Sequence, residues 1–332
     1  MKEKFVVQWH ITVRCNLRCK HCYIEDYDKD IKLNELIDIF EQIKEFLFVN
    51  EYVGHINFTG GEPFIAEYLW DLLDLCERNN ISFGILTNGT LINQELVHKL
   101  QRYKKLKFIQ FSLDGGAQIH DDIRGKGSFH KTAEAIRLVN AGDIQTMVSF
   151  TASKLNYMEL RKVIRVCRRL GVKRFWTDRL VPMGSNELTI MSNKEFTKYL
   201  RVLNKEYRIS EFFGKIGIVT TSIHINRAMQ FMCSGSSQGY KCSAGKSLLA
   251  ILEDGTLLPC RRLPVKVGNL FEDNLRDLYA KSDIINMLKG DCRPKECKEC
   301  FNVDKCLGGA KCITYAIYGD IDHKDFNCPY VS

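Results

Sequence analysis

The sequence predicts an α/β fold, in which a partial barrel of six strand–helix units is followed by a small cysteine-rich domain. Over the first two-thirds of the 332 residues, short runs rich in β-branched and aromatic residues alternate with amphipathic helical runs. This alternation is typical of a parallel sheet covered by helices, and six units are too few to close an eight-stranded barrel. After about residue 231 the helical period weakens, and nine of the fourteen cysteines appear.

The predicted elements follow one another in regular order. Each strand is a short apolar run bounded by a polar or glycine-containing turn, and the six are Val6–Ile11, His55–Thr59, Ser82–Thr87, Phe108–Leu113, Gln145–Thr151 and Lys173–Leu180. Each helix places apolar residues three and four positions apart, and the six are Leu33–Phe48, Tyr68–Arg78, Gln94–Tyr103, His130–Ala141, Tyr157–Leu170 and Asn193–Tyr207. We expect the barrel over residues 1–225 and the cysteine-rich domain over 226–332.

Composition narrows the class of protein. Hydrophobic residues make up 45% and charged residues 27%, as in soluble globular proteins, and no apolar run approaches the ~20 residues of a membrane span. The N-terminus lacks the apolar stretch of a secretory signal, so the cysteines indicate metal ligands in a reducing cytoplasm and not disulfides. The net charge of +8 is scattered in short groups, which favours solvated helix faces over a nucleic-acid platform.

Three cysteines directly after the first strand form the run C-x3-C-x2-C; this N-terminal triad is Cys15, Cys19 and Cys22. Tetrahedral zinc and electron-transfer clusters normally take four protein ligands. Three thiols in a short loop therefore favour a [4Fe–4S] cluster with one iron open to a small molecule. On this spacing alone, a zinc knuckle or structural thiols remain the alternative.

Further polar motifs follow the next three strands, at the edge where parallel sheets bind ligands. They are Gly60, Gly61 and Glu62 after the second strand, Asn88 after the third, and Ser112 and Arg124 at and after the fourth. The glycines allow close backbone approach to a ligand, and Glu62 offers a carboxylate to an ammonium group. The Arg124 guanidinium suits a carboxylate.

Together these motifs resemble the radical S-adenosylmethionine (SAM) superfamily, whose fold is a TIM-like partial (β/α)6 barrel. The resemblance implies that the N-terminal triad is catalytic: it holds a cluster that binds SAM and cleaves it reductively to a 5′-deoxyadenosyl radical. It also implies that the segment Gly60–Glu62 contacts the SAM amino group and that Asn88 lines the site. Ser112 would contact the ribose, and Arg124 would pair with the SAM carboxylate.

The later cysteines resemble the SPASM domain, the two-cluster extension of radical SAM peptide and protein maturases. They include a G-x4-C element that ends at Cys260 and a C-x2-C-x5-C run. The resemblance implies two auxiliary [4Fe–4S] clusters, and thus three clusters in all. The first auxiliary set would be Cys233, Cys242, Cys260 and Cys312. The second auxiliary set would be Cys297, Cys300, Cys306 and Cys328.

The first auxiliary set departs from the common pattern. The usual spacing puts a cysteine at position 310, where this chain has Ala310. We expect Cys312 to replace it; the alternative is a cluster with an open iron.

A zinc ribbon is a different interpretation of the C-x2-C pairs. We expect Cys76 and Cys167, on predicted helices, to be buried apolar thiols, while Cys292 could be a spare thiol, an alternative ligand or a hydrogen-atom donor.

The resemblance implies an oxidoreductase that modifies a ribosomally made peptide by a crosslink, thioether, epimerisation or excision. Sulfatase maturases have a carboxylate base directly after the cysteine that matches Cys260. Here Arg261 and Arg262 stand there, which disfavours formylglycine formation, although Asp178 could supply a base from another loop. A radical SAM dehydrogenase of a small molecule and a non-enzymatic iron–sulfur electron carrier are two further hypotheses.

Three partners are expected. A precursor peptide is the substrate, and a flavodoxin or ferredoxin is the reductant. Because the first strand starts by Phe5, we expect no N-terminal leader-recognition domain. The leader would then be bound by a separate protein or directly by the barrel and SPASM surfaces.

Overall fold

The computed structural model describes residues 2–28, 31–183, 189–225, 242–328 and 330. Within these ranges the strands form one ten-stranded sheet in the order β10-β9-β8-β1-β2-β3-β4-β5-β6-β7. The strands are β1 (Lys4–Thr12), β2 (Val53–Gly60), β3 (Ser82–Thr87), β4 (Leu106–Ser112), β5 (Thr146–Ala152), β6 (Arg174–Arg179), β7 (Ser222–Ile225), β8 (Leu248–Ile251), β9 (Thr256–Leu258) and β10 (Gly268–Asn269). Strands β1 to β7 are parallel to their neighbours, which confirms the predicted barrel-type α/β fold.

The helices lie between the strands as the sequence predicts, with additions. They are α1 (Leu33–Val49), α2 (Leu69–Arg78), α3 (Gln94–Leu100), α4 (Ala117–Arg124), α5 (Ser128–Ala141), α6 (Leu160–Arg169), α7 (Asn193–Lys215), α8 (Leu275–Lys281), α9 (Asp283–Lys289), α10 (Val303–Cys306) and α11 (Lys311–Tyr318). Helix α4 is not among the predicted helices, because it is short and follows two glycines. Among the described helices, none combines the length and apolar character needed to span a membrane.

Strand β1 shows how the sheet separates core from cavity. Phe5, Trp9 and Ile11 are fully buried and pack in the core with α1. The intervening Val6 and Gln8 point to the other face and line a cavity. This two-residue period, and its equivalent in the neighbouring strands, gives the barrel an apolar outer layer and a partly polar interior.

The C-terminal region is joined to the barrel in two ways. Strand β8 pairs in parallel with β1 and starts an antiparallel extension through β9 and β10. Arg179, at the end of β6, makes a buried bidentate ion pair with Asp325, with Nη1–Oδ1 and Nη2–Oδ2 distances of 2.7 and 2.6 Å. Asp325 Oδ2 also accepts from the Ala310 N–H at 2.9 Å. The domain boundary at residue 225 stays a prediction.

Candidate functional site

A cavity of about 480 Å³ lies on the inner face of the sheet. Its wall includes the ends of β2 to β6, the whole N-terminal triad and part of the C-terminal region. Of the residues predicted to bind SAM, those on this wall are Gly60, Gly61, Asn88, Ser112 and Arg124. The cavity therefore brings together motifs that are distant in the chain, from Cys15 to Arg124, with cysteines of the C-terminal region.

The thiols of the N-terminal triad are partly buried and are not joined by disulfides. The loop is held by a bond from the Cys22 N–H to the Cys19 carbonyl at 2.9 Å and by one from Lys20 N–H to the Ile123 carbonyl, also at 2.9 Å. Burial raises the pKa of Cys15 to about 11. The donor set fits an iron cluster, because bound iron would supply the positive charge that a buried thiolate requires.

Gly60 and Gly61 allow the end of β2 to lie against the start of the cysteine loop. Gly60 has a φ of +127°, and a Cβ there would lie 2.2 Å from the Thr12 carbonyl oxygen. A Cβ on Gly61 would lie 2.1 Å from the Arg14 oxygen. The Gly61 N–H also donates to the Thr12 carbonyl at 2.7 Å. The close approach that the glycines permit in this structure is thus to the neighbouring backbone.

Glu62 is held by neighbouring protein groups, and its contact with an ammonium group stays a prediction. Its carboxylate is fully buried and is not part of the described cavity wall. Oε1 accepts from Thr87 Oγ1 at 2.8 Å and from the Phe64 N–H at 3.3 Å, and Oε2 accepts from the Asn88 N–H at 2.8 Å. Burial raises the pKa of Glu62 to about 7, against these hydrogen bonds. In this structure the side chain ties the ends of β2 and β3 together.

Arg124 is paired with the carboxylate of Asp114, which is not among the residues predicted for the site. Asp114 is fully buried, and its Oδ2 accepts from Arg124 Nε at 2.6 Å and lies 2.8 Å from His21 Nε2. Its Oδ1 accepts from the Thr151 N–H at 2.9 Å. Although burial acts in the opposite direction, Arg124 and His21 hold the pKa of Asp114 well below its usual range. In the sequence, Asp114 is marked by its place in the Asp114-Gly115 pair at the end of a strand. That pair by itself indicates only a turn.

The same network reaches two cysteines of the N-terminal triad. Arg124 Nη1 lies 3.8 Å from Cys19 Sγ, and Asn88 Nδ2 lies 3.9 Å from Cys15 Sγ. Burial raises the pKa of Cys19, and the positive charge of Arg124 opposes that effect. These donors are placed to favour negative charge on the sulfur atoms.

The three cysteines of the first auxiliary set that the structure describes lie at one place. Cys242, Cys260 and Cys312 all line the large cavity and pack in one apolar cluster. Burial raises the pKa of Cys260 to about 12, and the neighbouring thiols of Cys312 and Cys242 act in the same direction. Cys233 lies outside the described residues. Ligation by Cys312 stays a prediction that this proximity supports.

The second auxiliary set surrounds a separate, small cavity. Cys297, Cys300, Cys306 and Cys328 all line it. Burial raises the pKa of Cys306 to about 12. In the described part of the chain, no three His, Cys, Asp or Glu side chains converge on a point suited to a single metal ion. Cys76 and Cys167 are fully buried in the core, as predicted.

The cavity wall also contains the two arginines after Cys260 and the carboxylate that could have acted as a base. Arg262 forms an ion pair with Asp178, and its Nη2 donates to the Arg179 carbonyl at 2.6 Å. The Asp178 carboxylate is therefore bound by a guanidinium group in this structure.

Two family models match the chain. The model of the radical SAM superfamily matches residues 9–167, and the SPASM model, an iron-sulfur cluster-binding domain, matches residues 242–301. The chain contains a radical SAM domain, as predicted. The two matches together cover more than half of the chain, and the second identifies the cysteine-rich region as a SPASM domain.

Individual relatives align with nearly the whole chain. The protein is 27% identical over 309 residues to the antilisterial bacteriocin subtilosin biosynthesis protein AlbA of Bacillus subtilis (strain 168), covering 92% of this chain and 65% of AlbA. The chain thus spans just under two thirds of AlbA's length. It is 26% identical over 348 residues to the AdoMet-dependent heme synthase of Methanosarcina barkeri (strain Fusaro / DSM 804), covering 98% and 96% of the two chains.

A solved structure shares the fold. Streptococcus suis SuiB bound to SAM superposes with a TM-score of 0.78 at 18% identity, covering 99% of this chain and 78% of SuiB. The radical SAM and SPASM matches indicate that this enzyme uses SAM and [4Fe–4S] clusters, as predicted. Which side chains ligate each cluster and contact SAM stays a prediction.

Proposed function

We propose that this radical SAM enzyme is a maturase that oxidatively modifies a ribosomally made peptide. The observation that carries the proposal is the single cavity shared by the N-terminal triad and by Cys242, Cys260 and Cys312. When bound, the first cluster and SAM supply a 5′-deoxyadenosyl radical that removes a hydrogen atom from an unactivated C–H bond. A substrate in this cavity would lie between the two sets of thiols, as an oxidation that starts at one cluster and ends at another requires.

The SAM end of the cavity is prepared by this chain's own residues. Asp114 orients Arg124 through its Nε atom, and Arg124 in turn would face the SAM carboxylate from the cavity wall. Asn88 and Ser112 complete that wall. The Gly60–Glu62 segment links the ends of β2 and β3, and it would contact the amino group of SAM.

The rest of the interior suits peptide groups. Gln8, Asn57, Gln110 and Ser149 line the inner face of the sheet. Their neutral amide and hydroxyl groups both donate and accept hydrogen bonds, as the backbone of a peptide substrate does. The similarity to AlbA, whose name refers to bacteriocin biosynthesis, supports the same class of substrate; crosslink, thioether, epimerisation and excision remain open as the bond change.

Formylglycine formation is disfavoured because, among the described residues of the cavity wall, no unpaired carboxylate lies near Cys260 to act as the base. The position after Cys260 holds an arginine, and the Asp178 carboxylate is paired with Arg262. A carboxylate held by a guanidinium is a weaker base than a free one. Chemistry that needs Asp178 as the general base for a serine or cysteine side chain is therefore opposed by this ion pair.

The second candidate function is oxidation of a small molecule. It is favoured by the similarity to the AdoMet-dependent heme synthase, which aligns with nearly the full length of both chains. The two functions differ in what accelerates SAM consumption. Anaerobically reconstituted protein with dithionite and SAM should form 5′-deoxyadenosine faster with a candidate precursor peptide than with a porphyrin precursor of heme. Acceleration by the porphyrin alone would favour the second function.

Two protein partners belong to the proposal. A flavodoxin or ferredoxin would supply the electron, and the precursor's leader would be bound by a separate protein or by the barrel and SPASM surfaces. SuiB has a structure bound to its precursor peptide SuiA, which supports direct binding as one route. Equal turnover of leaderless and full-length peptide by the enzyme alone would contradict both routes of leader recognition.

A further inference from the structure

One lysine is buried beside the auxiliary cysteines. Lys311 starts helix α11, between Ala310 and Cys312, and its side chain is 1% exposed. Among the lysines whose side chains are described, it alone is buried to this extent. Burying an ammonium group is unfavourable unless negative charge compensates it.

Protein groups account for only part of that compensation. Lys311 Nζ donates to the Ile321 carbonyl at 3.0 Å, and an ammonium group has three donors. Within the described residues no carboxylate forms an ion pair with it. Burial lowers the pKa of Lys311. That effect is opposed by the thiols of Cys292, Cys297 and Cys242 and, to a smaller extent, by the carboxylate of Asp322.

The side chain lies in the wall between the two cavities. Lys311 lines the large cavity together with Cys242 and Cys312. On its other side, a Cβ on Gly308 would lie 3.3 Å from Lys311 Nζ, and Gly308 lines the small cavity with the second auxiliary set. Cysteines of both auxiliary sets therefore flank one ammonium group.

We propose that Lys311 is a positioning residue shared by the two auxiliary clusters, and that its ammonium group stabilises the reduced form of each. This proposal rests on the proposed function and on the two auxiliary ligand sets that the sequence predicts. Reduction of a [4Fe–4S] cluster adds one electron and releases no group, so its negative charge rises by one. A cation in a low-dielectric wall favours that form and raises the reduction potential.

The test is a redox titration of the full chain, anaerobically reconstituted and followed by electron paramagnetic resonance. In Lys311→Met, the equilibrium constant for reduction should fall at least tenfold at both auxiliary clusters, which is about 59 mV for a one-electron couple. Lys311→Arg keeps the positive charge and should have the wild-type potential at both auxiliary clusters. The SAM-binding cluster, held by the N-terminal triad, should keep its potential in every variant and serves as the internal reference.

Lys298 provides the matched control. It lies between Cys297 and Cys300 but is exposed, so water screens its charge, and Lys298→Met should leave the potentials unchanged. Lys311→Gln keeps a donor for Ile321 and replaces the methionine variant if that variant loses iron. Unshifted auxiliary potentials in Lys311→Met or Lys311→Gln, or an equal shift in Lys298→Met, would overturn the role of Lys311.

Iron content separates this proposal from the one on which it rests. Wild-type protein should bind about twelve iron atoms per chain. About four would refute the auxiliary ligand sets, and the role of Lys311 with them. Twelve with unshifted potentials would refute the role of Lys311 alone.

Discussion

The Asp114 carboxylate positions the Arg124 guanidinium group in the site. It is buried between the Arg124 guanidinium group and the ring of His21. The contact with His21 joins residues 93 positions apart, so no local pattern in the sequence could have revealed it. Arg124 itself could be predicted, because its spacing from Ser112 matches the radical SAM motif; its contact with SAM stays a prediction.

We expect Asp114→Asn to destabilise the protein strongly. The substitution leaves Arg124 buried without its counter-charge, which for buried pairs costs about 3–5 kcal/mol. The matched control is Glu134→Gln, which removes an exposed pair with Arg137 and should cost less than about 1 kcal/mol. Urea unfolding of both variants measures the difference; equal losses would contradict the role of Asp114.

Glu62 gives a prediction for pH. Its folded pKa of about 7 lies above the ordinary value, so the folded state holds a proton that the unfolded state has released. Stability from this group is therefore present at low pH and is lost as pH rises through 7. Between pH 6 and pH 8 the free energy of unfolding should fall by about 1.4 kcal/mol.

Glu62→Gln is the control for that pH dependence, since an amide does not titrate. The variant should lack the decrease of about 1.4 kcal/mol between pH 6 and pH 8, whatever its absolute stability. Urea unfolding at the two pH values makes the comparison. An identical decrease in the variant would show that other groups cause it.

Gly60 and Gly61 pack the end of β2 against the backbone at the end of β1. Strands β1 to β6 could be predicted because each is a short run rich in β-branched and aromatic residues bounded by a turn. Strands β7 to β10 are two to four residues long, which is too short for a periodic signal. The glycines could be recognised, but their partner, the backbone at Thr12 and Arg14, depends on how the strands pair.

We expect Gly61→Ala to damage the N-terminal cluster selectively. Its Cβ would lie 2.1 Å from the Arg14 carbonyl oxygen, so the cysteine loop must move. Iron content should fall from about twelve to about eight atoms per chain, with the auxiliary signals intact. Gly127→Ala is the control, since it has a φ of +81° but no atom within 4 Å; equal iron loss in both variants would contradict this account.

The molecule as a whole is held together at the junction of barrel and SPASM domain. Arg179 and Asp325 lie 146 residues apart and are 3% and 1% exposed. Neither residue belongs to a motif, which is why two domains could be predicted from the sequence but the contact between them could not. The pair also fixes the loop with Gly309 and Ala310 that precedes Lys311 and Cys312.

Breaking this pair should affect both halves of the protein. Asp325→Asn leaves Arg179 buried without its carboxylate partner, and should lower the free energy of unfolding by about 3–5 kcal/mol. The same variant should hold less iron in the first auxiliary cluster, because the loop before Cys312 loses its anchor. Urea unfolding and iron content measure the two effects. Unchanged stability and unchanged iron would show that the pair does not join the domains.

In the proposed function, the oxidation starts at the N-terminal triad and ends beside the first auxiliary set, within one cavity. Mass spectrometry of 5′-deoxyadenosine and of the peptide, in one reaction, tests this order of events. The triple alanine variant of Cys15, Cys19 and Cys22 should form neither 5′-deoxyadenosine nor modified peptide, whereas Cys260→Ala should still cleave SAM but lose the oxidised peptide. Formation of 5′-deoxyadenosine by the triple variant would contradict the account.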